Sequence, residues 1–257
     1  MKRVNALTVR LKDALAGMHP AKLAFLGYLS YIVLGWLFLC VPFLQKGEGV
    51  KVLDNLFIAT SAVSTTGLVP VSVSDSYNFL GQVVILLLIQ LGGIGYMTFG
   101  SFVILSRKTD LSEVRSEVGK TVFSLPASFR IDKFVRSVVK FTLIIEFVGA
   151  VALYCVFRKA GTPDAIWSAV FHSVSAFCTA GFGLYNNSFE NFAGNFWLNA
   201  VISLLSYLGA IGFIVCVDVW RVVRGKVKSL TLTSKIILWS TFWLTVGGTL
   251  LLFVTEP

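Results

Sequence analysis

Apolar residues in this chain come in runs whose lengths alternate, and few folds can absorb such a pattern. The runs are Leu23–Leu44, Val52–Ser64 and Asn78–Leu105, then Ser137–Phe157, Pro163–Phe177 and Asn195–Trp220, and last Ile236–Thr255. The first has 22 residues, enough for a helix of roughly 33 Å at 1.5 Å per residue. The second has 13, about 20 Å of helix, too short to cross a hydrocarbon core of about 30 Å. The order is long, short, long, then the same again, then one more long run. With 56% hydrophobic residues and a mean hydropathy of +0.80, the chain reads as an all-α, multi-pass integral membrane protein. A secreted scaffold and a nucleic-acid-binding domain are excluded.

The net charge of +9 follows the membrane and gives no sign of a nucleic-acid partner. Of 22 Lys and Arg, 18 fall before Leu23, between Arg107 and Lys140, or between Arg221 and Lys235. Only Lys46, Lys51, Arg158 and Lys159 occupy the alternate gaps. This asymmetry is the positive-inside pattern and puts the N-terminus in the cytoplasm. Leu23–Leu44 is too long for a signal-peptide core and is read as a retained first helix. Cys40, Cys155, Cys178 and Cys216 form no CxxC pair and are expected to be buried, reduced thiols.

The chain resembles itself. At an offset of 114, Phe57, Ser61, Ala62, Thr65 and Gly67 meet Phe171, Ser175, Ala176, Thr179 and Gly181, and Gly35 meets Gly149. At 117, Leu91-Gly92-Gly93-Ile94-Gly95-Tyr96 lies over Leu208-Gly209-Ala210-Ile211-Gly212-Phe213. Two ordered blocks imply a duplicated helix–short helix–helix unit. The expected organisation is a cytoplasmic segment 1–22, a first unit 23–105, a basic loop 106–136, a second unit 137–220, a basic loop 221–235 and the first helix of a third unit, 236–257. Each short helix enters from outside and returns through a loop. Such backbone is tolerated at membrane depth only when it faces protein or an aqueous path.

The return loops read Ser64-Thr65-Thr66-Gly67-Leu68 and Cys178-Thr179-Ala180-Gly181-Phe182-Gly183. They suit a cation path. Removing an ion of ammonium size from water costs on the order of 20 kcal/mol in the Born limit, and converging carbonyl oxygens can replace the lost hydration. Gly permits the backbone angles this needs, Thr adds a hydroxyl, and the negative end of a short helix dipole adds a favourable field. The candidate ion-lining residues are Thr65, Thr66, Gly67 and Leu68, with Thr179, Ala180, Gly181 and Phe182.

These duplicated Thr-x-Gly loops resemble those of the Trk/Ktr/HKT superfamily of potassium transporters, and Thr179-Ala180-Gly181-Phe182-Gly183 is similar to a potassium-channel filter. The resemblance covers nearly the whole chain. It implies potassium uptake through a selectivity filter, with Thr65, Thr66 and Gly67 as one wall and Thr179, Ala180 and Gly181 as the next. It also implies a homodimer of the full-length protein, contact with membrane lipid, a cytoplasmic nucleotide-binding regulatory ring, and no cofactor or metal beyond the transported K+ or Na+. The superfamily has four units in one polypeptide. Here two complete units and one helix of a third are present, so the chain is a fragment or needs a partner chain. The gate of the third unit has no counterpart, and no gating residue is carried over.

Other residues admit two readings. Gly92-Gly93-Ile94-Gly95 lies within an apolar run and is read as close helix packing, with a bend as the alternative, and not as a nucleotide loop. Glu146, at membrane depth, is either a cation or proton group or a buried structural carboxylate bonded to a neighbouring helix; the second is preferred. His172 reads as a packed or hydrogen-bonded histidine before a proton sensor, and His19 carries no reading. Asp54, Asp75, Asp164 and Glu190 either concentrate cations at the mouth or, for Asp54 and Asp164, cap the short helices. Three functions compete. They are a potassium channel or transporter subunit (with a sodium-permeable or non-selective cation transporter as its variant), an intramembrane enzyme, and a scaffold. Two distant histidines and one membrane carboxylate make no catalytic set, and a scaffold has no use for duplicated loops.

Overall fold

In a computed structural model the described residues are 20–47, 49–95 and 131–255. Among them the chain is helical, with a single isolated bridge between Gln45 and Tyr77. The helices are α1 (Pro20–Leu39), α2 (Val52–Val63), α3 (Val73–Ser76), α4 (Phe79–Ile94), α5 (Ile131–Lys159), α6 (Ala165–Phe177), α7 (Phe196–Ile211), α8 (Phe213–Val223) and α9 (Leu232–Thr255). Residues 1–19, the end of the Asn78–Leu105 run and most of the 106–136 connector lie outside the described residues.

Three helix ends depart from the apolar runs, each for a local reason. The first run extends to Leu44, but α1 ends at Leu39 and a 3₁₀ turn, Pro42–Leu44, follows. Pro42 has no N–H to donate, and it holds Val41 extended, at φ −70° and ψ 120°. Helix α4 stops at Ile94 because Gly95 takes φ +83°. The run Asn195–Trp220, expected as one long helix, is two. Helices α7 and α8 meet at Gly212, at φ +86° and ψ 152°, and are bent by 99°. No helical residue has such a φ, and only glycine takes it without a Cβ clash.

By length and composition, α5 over Val135–Lys159 and α9 can cross a membrane, and the bent α7–α8 pair forms a third candidate span. Helices α2, α4 and α6 are apolar but shorter, as is the Phe25–Leu39 part of α1. Polarity is inverted relative to a water-soluble protein. None of the spanning window of α9 is buried, and Phe242, Trp243, Leu250 and Val254 are exposed. Inside lie Asn55, Gln82, Thr142, Glu146, Ser168, His172 and Ser173. An apolar exterior of this extent needs hydrocarbon as its solvent. Most interior groups are paired, as the low dielectric requires, with Ser61 Oγ and Tyr185 Oη as exceptions among the described residues. Tyr77 donates to Asn55 Oδ1 at 2.6 Å, and Trp167 Nε1 donates to Gln82 Oε1 at 2.7 Å, joining α6 to α4.

One core, with Leu39, Ile58, Ile85, Ile89 and Phe171, surrounds the short helix α2. A second, with Leu153, Phe157, Leu198 and Leu205, surrounds α6. The offsets seen in sequence recur in contacts. A Cβ at Gly35 would lie 2.6 Å from Leu88 Cδ1, and one at Gly149 would lie 2.7 Å from Leu205 Cδ2. A Cβ at Gly92 would strike the carbonyl oxygen of Val63, and one at Gly209 that of Phe177, each the last residue of its short helix. The capping side chains match as well. Asn78 accepts from the Gly81 N–H at 3.0 Å, and Asn195 accepts from the Leu198 N–H at 3.1 Å.

Candidate functional site

Both short helices end in the same turn, one hydrogen bond at a time. After α2, the Thr65 N–H donates to Ala62 O at 3.3 Å and the Thr66 N–H to Ser61 O at 2.9 Å. After α6, the Thr179 N–H donates to Ala176 O at 3.0 Å and the Ala180 N–H to Ser175 O at 2.8 Å. This is the paired 5→2 and 6→1 closure of a Schellman end, which usually places glycine in its left-handed slot. Here that slot holds threonine, with Thr65 at φ +51° and Thr179 at φ +52°. A β-branched residue there is an outlier that costs about 1–2 kcal/mol. Glycine comes two residues later, with Gly67 at φ +83° and Gly181 at φ +71°.

The two loops touch. A Cβ on Gly67 would lie 2.5 Å from Ala180 O and 3.0 Å from Gly181 Cα, and one on Gly181 would lie 3.4 Å from Gly67 Cα. Any side chain at position 67 would be strained in backbone and would also collide with the neighbouring loop. Of the eight residues singled out in sequence, Ala180 and Phe182 are buried, Leu68 is 61% exposed, and Thr66, Thr179 and Gly181 are exposed. Thr65 and Gly67 are intermediate. Among the described residues, no hydrogen bond is donated to the carbonyl of Thr65, Thr66, Gly67, Thr179, Ala180 or Gly181. Among the described residues, then, six main-chain oxygens in two touching loops have no donor, and that of Ala180 faces Gly67. The hydroxyls have local work. Thr66 pairs with Ser64 at 2.6 Å, and Thr179 donates to Cys178 O at 2.7 Å.

The second loop is anchored behind its exposed face. Ser175 donates to Phe182 O at 2.7 Å, and Cys178 lies 3.9 Å from Glu146 Oε1. Glu146 Oε2 accepts from Gln90 Nε2 at 3.1 Å, so the carboxylate joins α5 to α4 and to the end of α6. These are the bonds to a neighbouring helix that the structural reading of Glu146 expects. His172 is also hydrogen-bonded and packed, between Ser168 O and the Leu184 N–H. All four cysteines are free, but only Cys178 is buried, and Cys155 is exposed. Beside the second loop a cavity of about 330 Å³ is lined by His172, Ser175, Thr179, Gly181 and Ser206 among others.

The outer acids divide. Asp164 occupies the N-cap of α6 at φ +50°, but its side chain makes no capping bond, and Asp54 lies in the first turn of α2. Glu190 opens a 3₁₀ turn. Asp75 makes the contact sequence reasoning missed. Its Oδ2 accepts from Asn186 Nδ2 at 2.7 Å, and Ser72 donates to Asn186 Oδ1. The Asn186 hydrogen bond comes first in holding the Asp75 carboxyl below its ordinary range, helped by Ser72, Ser74 and Lys46. No local motif announces this pair, because its members lie 111 residues apart. Among the described residues no cluster of His, Cys, Asp and Glu is arranged to hold a metal. His19 lies outside the described residues.

Comparison with known proteins places the chain in a family. The chain is 35% identical to the potassium/sodium uptake protein NtpJ of Enterococcus hirae, over 97% of this chain and 55% of the relative. It is 30% identical to the Ktr system potassium uptake protein B of Vibrio alginolyticus, over 95% of this chain and 54% of the relative. It is also 30% identical to the protein of that name in Bacillus subtilis, over 92% and 53%. The chain thus spans about half the length of the curated relatives it matches. Residues 32–256 match the family described as TrkH, cation transport protein. With that match over most of its length, the chain belongs to the TrkH family of membrane cation transport proteins.

Proposed function

We propose that this chain forms part of a potassium-uptake pore in which the Thr65–Leu68 and Thr179–Phe182 loops supply the selectivity filter. One observation carries the reading: the two loops meet at Gly67 and Gly181, and among the described residues nothing donates a hydrogen bond to their six carbonyls. Such oxygens can substitute for the water an alkali cation sheds. The short helices α2 and α6 end at these loops and direct the negative ends of their dipoles toward the same place. In this reading residues 23–105 and 137–220 are two copies of a helix–pore helix–helix unit, and the matched turns and glycine contacts support it. The third unit begins at 236 and the basic loops 106–136 and 221–235 are cytoplasmic, as the charge asymmetry supports.

The location is the plasma membrane, with the N-terminus in the cytoplasm. The full-length protein is a homodimer in contact with lipid. The relatives are named as parts of a Ktr system, and a nucleotide-binding regulatory ring on the cytoplasmic side is the partner assigned here. Potassium is the primary ion. Sodium permeation is the second reading, favoured by the potassium/sodium name of the Enterococcus relative.

The test is growth of potassium-uptake-deficient cells carrying the full-length gene at limiting K+. Gly67→Ser and Gly181→Ser should each lower uptake or its preference for K+ over Na+ while the protein still reaches the membrane. Unchanged growth and selectivity in both variants would remove the two loops from the pathway.

A further inference from the structure

The outer arm of the second loop is held by one imidazole. His172 on α6 is 2% exposed. Its Nδ1 faces Ser168 O at 2.7 Å, and its Nε2 faces the Leu184 N–H at 3.2 Å. A carbonyl only accepts and an amide N–H only donates, so Nδ1 carries the proton and Nε2 is the acceptor. The ring stacks on Tyr185 with centroids 5.0 Å apart and planes 9° apart, and Phe157 and Phe189 close around it. Gly183 packs against it too, since a Cβ there would lie 3.4 Å from Nε2.

The first loop shows what this bond is for. At the offset of 114, His172 corresponds to Ile58 and Leu184 to Pro70. Ile58 cannot accept a hydrogen bond, and Pro70 has no N–H to donate. Donor and acceptor are exchanged together, so this one bond is replaced in the first loop by a pair of positions that neither needs nor offers it. In the second loop α6 then pins the chain at three successive levels. The Schellman bonds fix Thr179 and Ala180, Ser175 fixes Phe182 O, and His172 fixes Leu184.

We infer that His172 is the positioning residue that fixes the outer arm of the second loop and, through it, the cation preference of the path. The inference rests on the pore reading above. Held at both ends, the Thr179–Gly181 carbonyls cannot close around a smaller ion. Releasing Leu184 leaves the Ser175–Phe182 bond as the sole anchor beyond Gly181 and lets the carbonyls yield toward a Na+-sized cation.

The experiment measures Rb+ uptake and its competition by Na+ with the full-length protein in proteoliposomes. The variants are His172→Ile, Leu184→Pro and the double variant, which imports the first loop's arrangement. His172→Ile removes the acceptor of the Leu184 N–H and should lower the Rb+ over Na+ preference about tenfold. The double variant should return it to within about twofold of the parent. His172→Gln, whose Oε1 can accept the same N–H, should keep most of the preference. If His172→Ile does not accumulate, recovery of both abundance and preference in the double variant supports the assignment, and failure to recover counts against it. Unchanged preference in His172→Ile at normal abundance overturns it. Gly181→Ser is measured in parallel. If that variant is also silent, the pore reading has failed; if it responds while His172→Ile does not, only the role of His172 has failed.

Discussion

Thr65 and Thr179 pay a backbone penalty that glycine would avoid, and they recur at the same slot of two turns. Strain retained twice points to a requirement for the side chain or for a stiff loop. Thr179→Gly should raise the thermal stability of the detergent-solubilised protein by about 1 kcal/mol, because the left-handed slot suits glycine. The same variant should weaken K+ over Na+ discrimination, so stability and selectivity would move in opposite directions. A variant both less stable and equally selective would speak against the strain account. Glu146 carries a separate expectation. In Glu146→Gln the amide oxygen can still accept from Cys178 Sγ and the NH2 can donate to Gln90 Oε1 once the Gln90 amide turns over, so uptake should stay near the parent level. A collapse of uptake at normal expression would return the carboxylate to a transport role. At this scale the sequence made the glycines legible, because Gly67 and Gly181 fall in register. It did not make the left-handed threonines legible, since nothing in a Thr-x-Gly string says which residue takes the positive φ.

Among the elements, the short helices were readable almost to the residue. Val52–Ser64 became α2 (Val52–Val63), and Pro163–Phe177 became α6 (Ala165–Phe177). Polar and glycine-bearing flanks set those limits. The long runs misled, because hydrophobicity continues through Gly95 and Gly212 while the helix does not. Apolar residues on both sides of a bend look like one span when both sides face lipid. The glycine cluster reads as close packing with a bend as the alternative, and the packing is seen: Gly92 and its counterpart Gly209 admit a short-helix carbonyl, Gly95 takes a positive φ that ends α4, and its counterpart Gly212 bends the chain by 99°. Gly209→Ala should therefore destabilise the protein by about 1–3 kcal/mol through the clash with Phe177 O. Gly248→Ala, with nothing within 4 Å of its added Cβ, should be neutral or slightly stabilising. Thermal melts of the two variants in one detergent check the contrast, and equal shifts would deny the packing role of Gly209.

Over the whole molecule, two halves related by sequence are joined at the loops, at Gln82–Trp167, at Gln90–Glu146 and at the outer Asp75–Asn186 brace. Only the first junction could be anticipated, since the others pair residues 56 to 111 apart with no periodic signal. The outer brace has a defined pH dependence. Asp75 is held below its ordinary range, so its contribution is complete above the unfolded carboxyl pKa of about 3.9 and fades only as pH falls through the lower folded value. The difference in melting temperature between the parent and Asp75→Ala should stay constant from pH 8 to about pH 5 and shrink below about pH 4. A difference that changes between pH 6 and 8 would assign the brace to another group.

The central claim is that main-chain oxygens of the two touching loops hold a dehydrated cation. Anomalous scattering from Tl+ or Rb+ in crystals of the full-length protein tests it without recourse to growth or flux. A peak within coordination distance of the Thr65–Gly67 and Thr179–Gly181 carbonyls, lost when Na+ replaces the heavier ion, is the predicted result. An ordered pair of loops with no peak between them, and ion density elsewhere in the protein, would contradict it.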